Sequence, residues 1–278
     1  MDIKQNALKL ISCGRQISLS LNGGRITSFE YNSQNALLAE GIQTGSTFWP
    51  SPQSLWGWPP PKVLDESRYD LLKHSAQCLA VRSELDESLG IRLTKTIRPI
   101  NEGIRVEYAI VNETDSIITM APWEISRTAG GVTFYSSLGA PEIHSTCNAV
   151  FAHGHYWYEY NPKKLTGIPK IFANHTEGWL ANVNKGLLFL KKFPQIEISE
   201  IAPGEAEVEI YAHADNQNPY IEIEQQGAFR AILPGMTSRW SVDWLLYEIP
   251  VDVQVAVGSS SLLAFTKEVL TSQEAVLP

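Results

Sequence analysis

Along much of this chain, apolar side chains fall at every second position. Ile104, Val106, Tyr108 and Ile110 alternate with Arg105, Glu107 and Ala109, the spacing of a strand with one buried face. Ile91 to Ile97 alternates in the same way, and Asn101-Glu102-Gly103 between the two runs predicts a hairpin turn. A second hairpin is predicted at Asp86-Glu87-Ser88-Leu89-Gly90. After the turn-like Asn112-Glu113-Thr114-Asp115 another strand runs from Ile117 towards Arg127, so residues 78–127 predict a four-stranded meander. The C-terminal half predicts strands at Gly186 to Phe193, Ile196 to Ile201, Glu205 to His213, Tyr220 to Gln226 and Ser238 to Tyr247, with turns at Pro203-Gly204 and Pro234-Gly235. Only Ser260 to Leu270 has a helical pattern, with Ser259 or Ser260 as N-cap. The fold class expected is therefore all-β with one short C-terminal helix. No repeat, low-complexity tract or linker divides the chain, and a single domain over residues 1–278 is expected.

Two stretches break the alternation: the aromatic, proline-rich segment 48–61, and residues 139–180, rich in His, Tyr, Trp and Asn. Long irregular segments in a compact β domain are more often functional than accidental. Composition narrows the possibilities. Hydrophobic residues are 44 % and charged residues 19 %, enough apolar material for a sizeable core. Against 30 acidic residues there are 22 basic ones, a net charge of −8. Nucleic acid is a poor partner for that balance, and the densest basic pairs, Lys163-Lys164 and Lys191-Lys192, read as solvated faces. Cys13, Cys78 and Cys147 are widely spaced and odd in number, which fits neither a disulfide framework nor a zinc site. Met1-Asp2-Ile3-Lys4-Gln5-Asn6 lacks the apolar stretch of a signal peptide, and no apolar run approaches the roughly 20 residues that cross a bilayer. A soluble, cytoplasmic protein without a membrane partner is expected.

Four clusters carry candidate chemistry. Phe48-Trp49-Pro50-Ser51-Pro52-Gln53-Ser54-Leu55-Trp56-Gly57-Trp58 sets three indoles within ten residues. Indole faces stack on the C–H faces of sugar rings, and Gln53 offers a donor and an acceptor to hydroxyls; the plainer reading is a cap on the open end of a sandwich. In Tyr220-Ile221-Glu222-Ile223-Glu224-Gln225-Gln226-Gly227, a strand puts Glu222 and Glu224 on one face and Ile221 and Ile223 on the other. Neighbouring carboxylates of this kind suit acid/base work, and equally an ordinary solvated face. His153-Gly154-His155 resembles a metal-ligand pair without a third ligand, and the following Tyr156-Trp157-Tyr158 suits a sugar platform as well as it suits packing. His144 and His175 lie in the same stretch. Finally, Pro122-Trp123-Glu124-Ile125-Ser126-Arg127 puts Trp123, Ile125 and Arg127 on one face and Glu124 with Ser126 on the other. No Gly-x-Ser-x-Gly elbow and no Gly-rich phosphate loop occurs, and no metal or organic cofactor is implied.

In their order and spacing, four segments resemble the galactose-mutarotase-like (aldose 1-epimerase-like) superfamily, in a bacterial branch. They are Gly23-Gly24-Arg25-Ile26 followed by Phe29; Gly45 to Pro50 with its Trp-rich loop; Val111-Asn112-Glu113-Thr114 leading into 117–127; and Tyr220 to Gln226 followed by Leu233-Pro234-Gly235 and a strand around Trp240. Together they span about residues 15 to 250. The resemblance implies a large twisted antiparallel β-sandwich with a ligand groove on a concave sheet face. It also implies a histidine acid and a glutamate base that open and reclose a sugar ring. Glu224 matches the glutamate. Where the family's histidine is expected this chain has Trp123 to Arg127, so the acid falls to Glu124, Arg127, His153 or His155, or is missing. Catalytic candidates are thus Glu224, His153, His155 and Glu124, and substrate-binding candidates Trp49, Gln53, Trp56, Trp58, Arg127, Tyr156 and Glu222, with a sugar or sugar derivative as partner. The readings carried forward are an aldose 1-epimerase-like isomerase, a non-catalytic carbohydrate-binding domain, and a module acting on polysaccharide.

Overall fold

A computed structural model describes residues 7–41, 43–215 and 217–274. The leader expectation rests on residues 1–6, which lie outside the described residues. In chain order the strands are β1 Leu8–Ser12, β2 Arg15–Ser20, β3 Arg25–Tyr31, β4 Gln34–Asn35, β5 Ser46–Ser51, β6 Asp70–Ser75, β7 Cys78–Arg82, β8 Ile91–Ile100, β9 Gly103–Asn112, β10 Ile118–Thr128 and β11 Val132–Ser137. There follow β12 Glu142–His144, β13 Val150–Ala152, β14 His155–Glu159, β15 Lys170–Ala173, β16 Thr176–Asn184, β17 Leu187–Lys192, β18 Val208–Ala212, β19 Ile221–Gln226, β20 Arg230–Ile232 and β21 Thr237–Glu248. Helix α1 is a single turn at Lys62–Asp65, and α2 spans Ser260–Glu274.

These strands make two antiparallel sheets. The first runs β1-β2-β3-β5-β10-β19-β18-β15-β12, with β4 against β3 and β20 against β10; the second runs β13-β14-β11-β16-β17-β21-β9-β8-β7-β6. Period-two alternation decides what lies between them. Ile17, Ile26, Phe48, Ile210, Ile221 and Ile223 of the first sheet meet Leu93, Ile97, Tyr108, Ile110, Phe189 and Trp244 of the second in one buried core. On β17, Leu188 and Leu190 point the other way from Phe189 and join Phe134, Trp157 and Trp179 beneath α2. The helix presents Leu262, Leu263, Thr266, Val269 and Leu270 at i, i+1, i+4, i+7 and i+8 to that face. Ser259 caps it, its Oγ accepting the Leu262 amide at 3.2 Å. The helix thus covers the β11, β14, β16 and β17 part of the second sheet's outer face, while Arg105 and Arg239 stay exposed further along it. The first sheet has one covered face and one face that carries polar and aromatic residues.

Both expected hairpins occur, β8 pairing β9 across Asn101-Glu102, and Asp86 bridging Ile91. The four-stranded meander does not. β7, β8 and β9 pair in series with β6 added at the edge, but β10 leaves for the first sheet, where it lies between β5 and β19. The place beside β9 goes to β21. Asn112 holds this crossover: its Nδ2 donates to the Ser116 and Ile232 carbonyls, each at 2.8 Å, and its Oδ1 accepts the Thr114 amide. Ile196 to Ile201 is not a strand either. Glu197 and Glu200 form a reciprocal capping box around a 3-10 turn at Ile198–Glu200, and Ile198 stays exposed. The segment 139–180 holds β12 to β15 and the start of β16, strands mostly too short to show a period, while 48–61 begins inside β5. No helix among the described residues is long and apolar enough to cross a membrane.

Candidate functional site

The uncovered face of the first sheet is laid out by its registers. One row runs Thr47, Ile125, Glu224, Glu209, Phe172, Glu142 across β5, β10, β19, β18, β15 and β12. Beside it runs Arg127, Glu222, Tyr211, Lys170, His144. On the other flank lies a row of Trp49, Trp123 and Gln226. Inward-pointing Ile221, Ile223 and Ile210 fix the orientation of all these side chains.

At the centre, Glu224 is 1 % exposed. Its Oε2 accepts the Trp123 indole N–H at 3.0 Å and lies 3.8 Å from Lys170 Nζ, and its Oε1 has no hydrogen-bond partner. Glu209 is buried beside it. Its Oε1 accepts the Ala206 amide and Gln226 Nε2, both at 2.8 Å, and its Oε2 is 2.5 Å from Lys170 Nζ. Lys170 Nζ lies 5.4 and 5.1 Å from the ring centres of Trp123 and Phe172. Burial raises Glu224 well above the usual carboxylate range, Lys170 working against that shift. Burial likewise raises Glu209 to about 7. For Lys170 burial works downward, but Glu224 and Glu209 together hold it above its ordinary value. One ammonium cannot balance two carboxylates in so dry a place, so at neutral pH the pair keeps a proton.

The Trp-rich loop folds down onto this face. Trp49 and Trp123 are buried against Ile125, with Trp56 half-buried on top. The Trp49 indole N–H donates to Asp65 Oδ1 at 2.9 Å, and Trp56 donates to the Pro50 carbonyl at 2.8 Å. Asp65 also receives Arg25 at 3.0 Å. Gly23 makes room for this corner: at φ +67° a Cβ there would meet the Asp65 carbonyl oxygen at 1.9 Å. Trp58, 63 % exposed, touches Trp49 edge-on. The Gln53 amide donates to Glu205 Oε1 at 2.8 Å, which ties the loop to the acidic end of the face. Arg127, fully buried, donates to Glu222 at 2.7 Å and to Thr47 at 3.2 Å, leaving its Nη2 without a partner.

A cavity of about 470 Å³ opens beside the cluster, lined by Glu142, His144, Phe172, Asn174, His175, Ile198 and Glu205. At the opposite end a second cavity of about 560 Å³ is lined by His213, Asp215 and Tyr220 with Leu38 and Gln43. Both volumes suit a small ligand. His144 pairs with Glu142 at 2.8 Å and stands three strands from Glu224, roughly 14 Å at the usual strand spacing.

The structure therefore gathers Glu224, Glu222, Arg127, Trp49, Trp56, Trp58 and Gln53 on one face and sends the other candidates elsewhere. Glu124 points into the sandwich, where it accepts Ser46 and Ser126 hydroxyls and Lys191 Nζ, each at 2.6 Å, and the Gln225 amide. His155 lies on the α2 side of the second sheet, buried against Trp179, its Nδ1 at 2.7 Å from the His153 carbonyl, and His153 is exposed on the adjoining turn. Tyr156 packs on Tyr135 and Phe151 at a sheet edge. Both sheets separate these histidines from Glu224, so a shared proton relay with them is geometrically closed. Lys170 and Glu209 were not singled out in the sequence. Glu209 had a visible signal, the alternation Glu205-Ala206-Glu207-Val208-Glu209; Lys170, on a four-residue strand after Pro169, had none. Among the described residues no cluster of three or more His, Cys, Asp or Glu side chains is arranged to hold a metal ion.

No family model matches the chain, and no curated protein matches it in sequence. Solved structures match it in fold. A galactose mutarotase related enzyme from Lactobacillus acidophilus aligns at TM-score 0.64 and 6 % identity over 90 % of this chain and 100 % of that one. A galactose mutarotase-like protein from Lactobacillus casei ATCC 334 aligns at 0.61 and 8 % over 87 % and 100 %. A TPR-domain containing protein from Parabacteroides distasonis ATCC 8503 aligns at 0.59 and 11 % over 86 % of this chain but 46 % of that one. The chain thus has the galactose mutarotase-like sandwich fold, as the ordered segments suggested, and the third match shows the same fold as part of a longer chain.

Proposed function

We propose that the uncovered face of the first sheet binds a sugar or sugar derivative, and that Glu224 and Glu209, sharing a proton beside Lys170, interconvert its anomers. The supporting observation is the cluster itself. Two buried carboxyls sit side by side with a half-buried lysine on the uncovered face of the first sheet, with one oxygen of Glu224 unpaired. Such groups destabilise a fold unless fully satisfied, and they concentrate at functional sites.

The shared proton supplies both halves of the reaction. The ionised carboxyl removes the proton of the anomeric hydroxyl, the bond between C1 and the ring oxygen breaks as the carbonyl forms, and the protonated carboxyl donates to the ring oxygen. Both oxygens are bonded to C1, so two adjacent carboxyls reach them without a distant histidine. Rotation about the open chain and the reverse steps give the other anomer, and Lys170 holds the local charge constant throughout. Exchange NMR of anomers over a panel of aldoses tests this. Glu224→Gln should cut the accelerated rate by about 10²–10⁴-fold, the usual weight of positioned acid/base catalysis, with sugar binding retained. An unchanged rate removes the mechanism.

A second reading, binding without turnover, draws on the burial of Glu224 beneath Trp123 and Trp56. It predicts tryptophan fluorescence that saturates with a sugar while anomers exchange at the uncatalysed rate.

A further inference from the structure

The charges on the proposed ligand face are unequally matched. Arg25 is held by Asp65 at 3.0 Å, Arg127 by Glu222 at 2.7 Å and Lys170 by Glu209 at 2.5 Å. At the rim, two residues past Ile198, Glu200 holds Arg230 at 2.7 Å. Each of these cations has a carboxylate partner, Arg127 keeping only its buried Nη2 unpaired. What remains at the cavity end is acidic: Glu205, which accepts the Gln53 backbone amide, and Glu142, whose partner is an imidazole. No lysine or arginine is among the described residues lining the 470 Å³ cavity, and Phe172 turns an aromatic ring toward it.

This arrangement repels anions. A phosphate or carboxylate on the ligand would meet Glu205 and Glu142 with no lysine or arginine among the described lining residues to receive it. An ammonium meets the reverse: two carboxylate walls able to accept charge-assisted hydrogen bonds, and the negative face of Phe172. Lys170 already uses that ring in this way, at 5.1 Å. We propose that the site selects a sugar bearing a protonated amine, of the hexosamine class, and rejects phosphorylated and acidic sugars. The proposal rests on the sugar-binding reading above and adds the ligand's charge to it. Glu205 and Glu142 are its specificity residues.

Calorimetric or NMR titration tests it with D-glucosamine and D-galactosamine, the parent aldoses, the N-acetylated hexosamines and the 6-phosphates, each at low and high salt. The amino sugars should bind about tenfold tighter than their parents, the size of one hydrogen bond to a charged group. N-acetylation, which keeps the bulk and removes the charge, should abolish the gain, and added salt should reduce it. In Glu205→Gln and Glu142→Gln the amine preference, measured against the parent aldose in the same variant, should shrink by about threefold or more. Tighter binding of a 6-phosphate than of its parent, or an amine preference that survives both variants unchanged, overturns the proposal and leaves sugar binding standing. Saturation by none of these sugars overturns the sugar-binding reading and this proposal with it.

Discussion

On the side of the β10–β19 pair that faces the second sheet, one lysine meets one glutamate; on the uncovered side, one lysine meets two. The inner pair, Lys191 and Glu124, is bound at every oxygen: Ser46 and Ser126 share Oε1 while Lys191 and Gln225 share Oε2. The outer set leaves Oε1 of Glu224 empty and holds one carboxyl too many. Burial lowers Lys191 to about 8, and on the other face it raises Glu209 to about 7. The residue types and the depth of the carboxyls are alike, but the outer lysine is half-buried and the stoichiometry differs. A closed, balanced network fixes how two sheets sit on one another, whereas an unbalanced one keeps a proton and an acceptor ready for something else.

The sharpest way to break this comparison is Lys191→Met. Glu124 would be left buried without its cation, and stability should fall by about 3–5 kcal/mol. Adding Glu124→Gln should recover more than half of that. A loss under about 1 kcal/mol in chemical denaturation would mean that the inner pair locks nothing.

The next largest effect is with pH. A carboxyl raised to about 7 binds its proton more tightly folded than unfolded, so Glu209 contributes stability that is present below the ordinary carboxylate value and lost as pH rises through about 7. A lysine lowered to about 8 has the opposite sign: Lys191 contributes stability that is present above its ordinary value and lost as pH falls through about 8. From these two groups stability is lowest near pH 7 to 8. Glu209→Gln should make only the acidic limb shallower, by on the order of 2–3 kcal/mol between about pH 4 and 7, with Glu224 keeping the rest of the slope. Lys191→Met should make only the alkaline limb shallower, because buried Lys95, lowered to about 7, contributes with the same sign. Urea titrations across pH distinguish the two, and a single limb altered by both variants would show that the faces are not independent.

The smallest effect sharpens the comparison at its edge. Trp58 is 63 % exposed and touches Trp49 edge-on, so Trp58→Ala should change stability by no more than about 0.5 kcal/mol. If the loop meets the ligand, the same variant should lose much of the sugar-dependent fluorescence change. A fluorescence response identical to wild type would restrict the loop to packing.

The alternation made a good part of this legible. It put Trp123, Ile125 and Arg127 on one side of β10 and Glu222 with Glu224 on one side of β19, and all five lie on the uncovered face. It was silent on pairing, because a period of two says which side a residue takes and nothing about which strand lies next to it. Hence β10 was read as the neighbour of β9 when it belongs between β5 and β19. The same silence hid the site's second half. Lys170 reaches Glu209 only because β15 pairs β18, a contact between a four-residue strand and one some forty positions later. His153 and His155 fit a strand end as read, yet β14 turns His155 toward α2, a direction no local pattern encodes.

The crossover at Asn112 also has a consequence for synthesis. As the chain leaves the ribosome, β7, β8 and β9 can zip together at once, but the free edge of β9 waits for β21, which begins about 125 residues later at Thr237. At ordinary translation rates of about 5–20 residues per second that edge stands open for roughly 6–25 s. During this interval the backbone groups along that edge of β9 have no partner strand, although Phe48 of β5 is already made and can cover Tyr108. Ribosome-stalled chains ending before β21 should therefore be chaperone clients, and chains that include it should not.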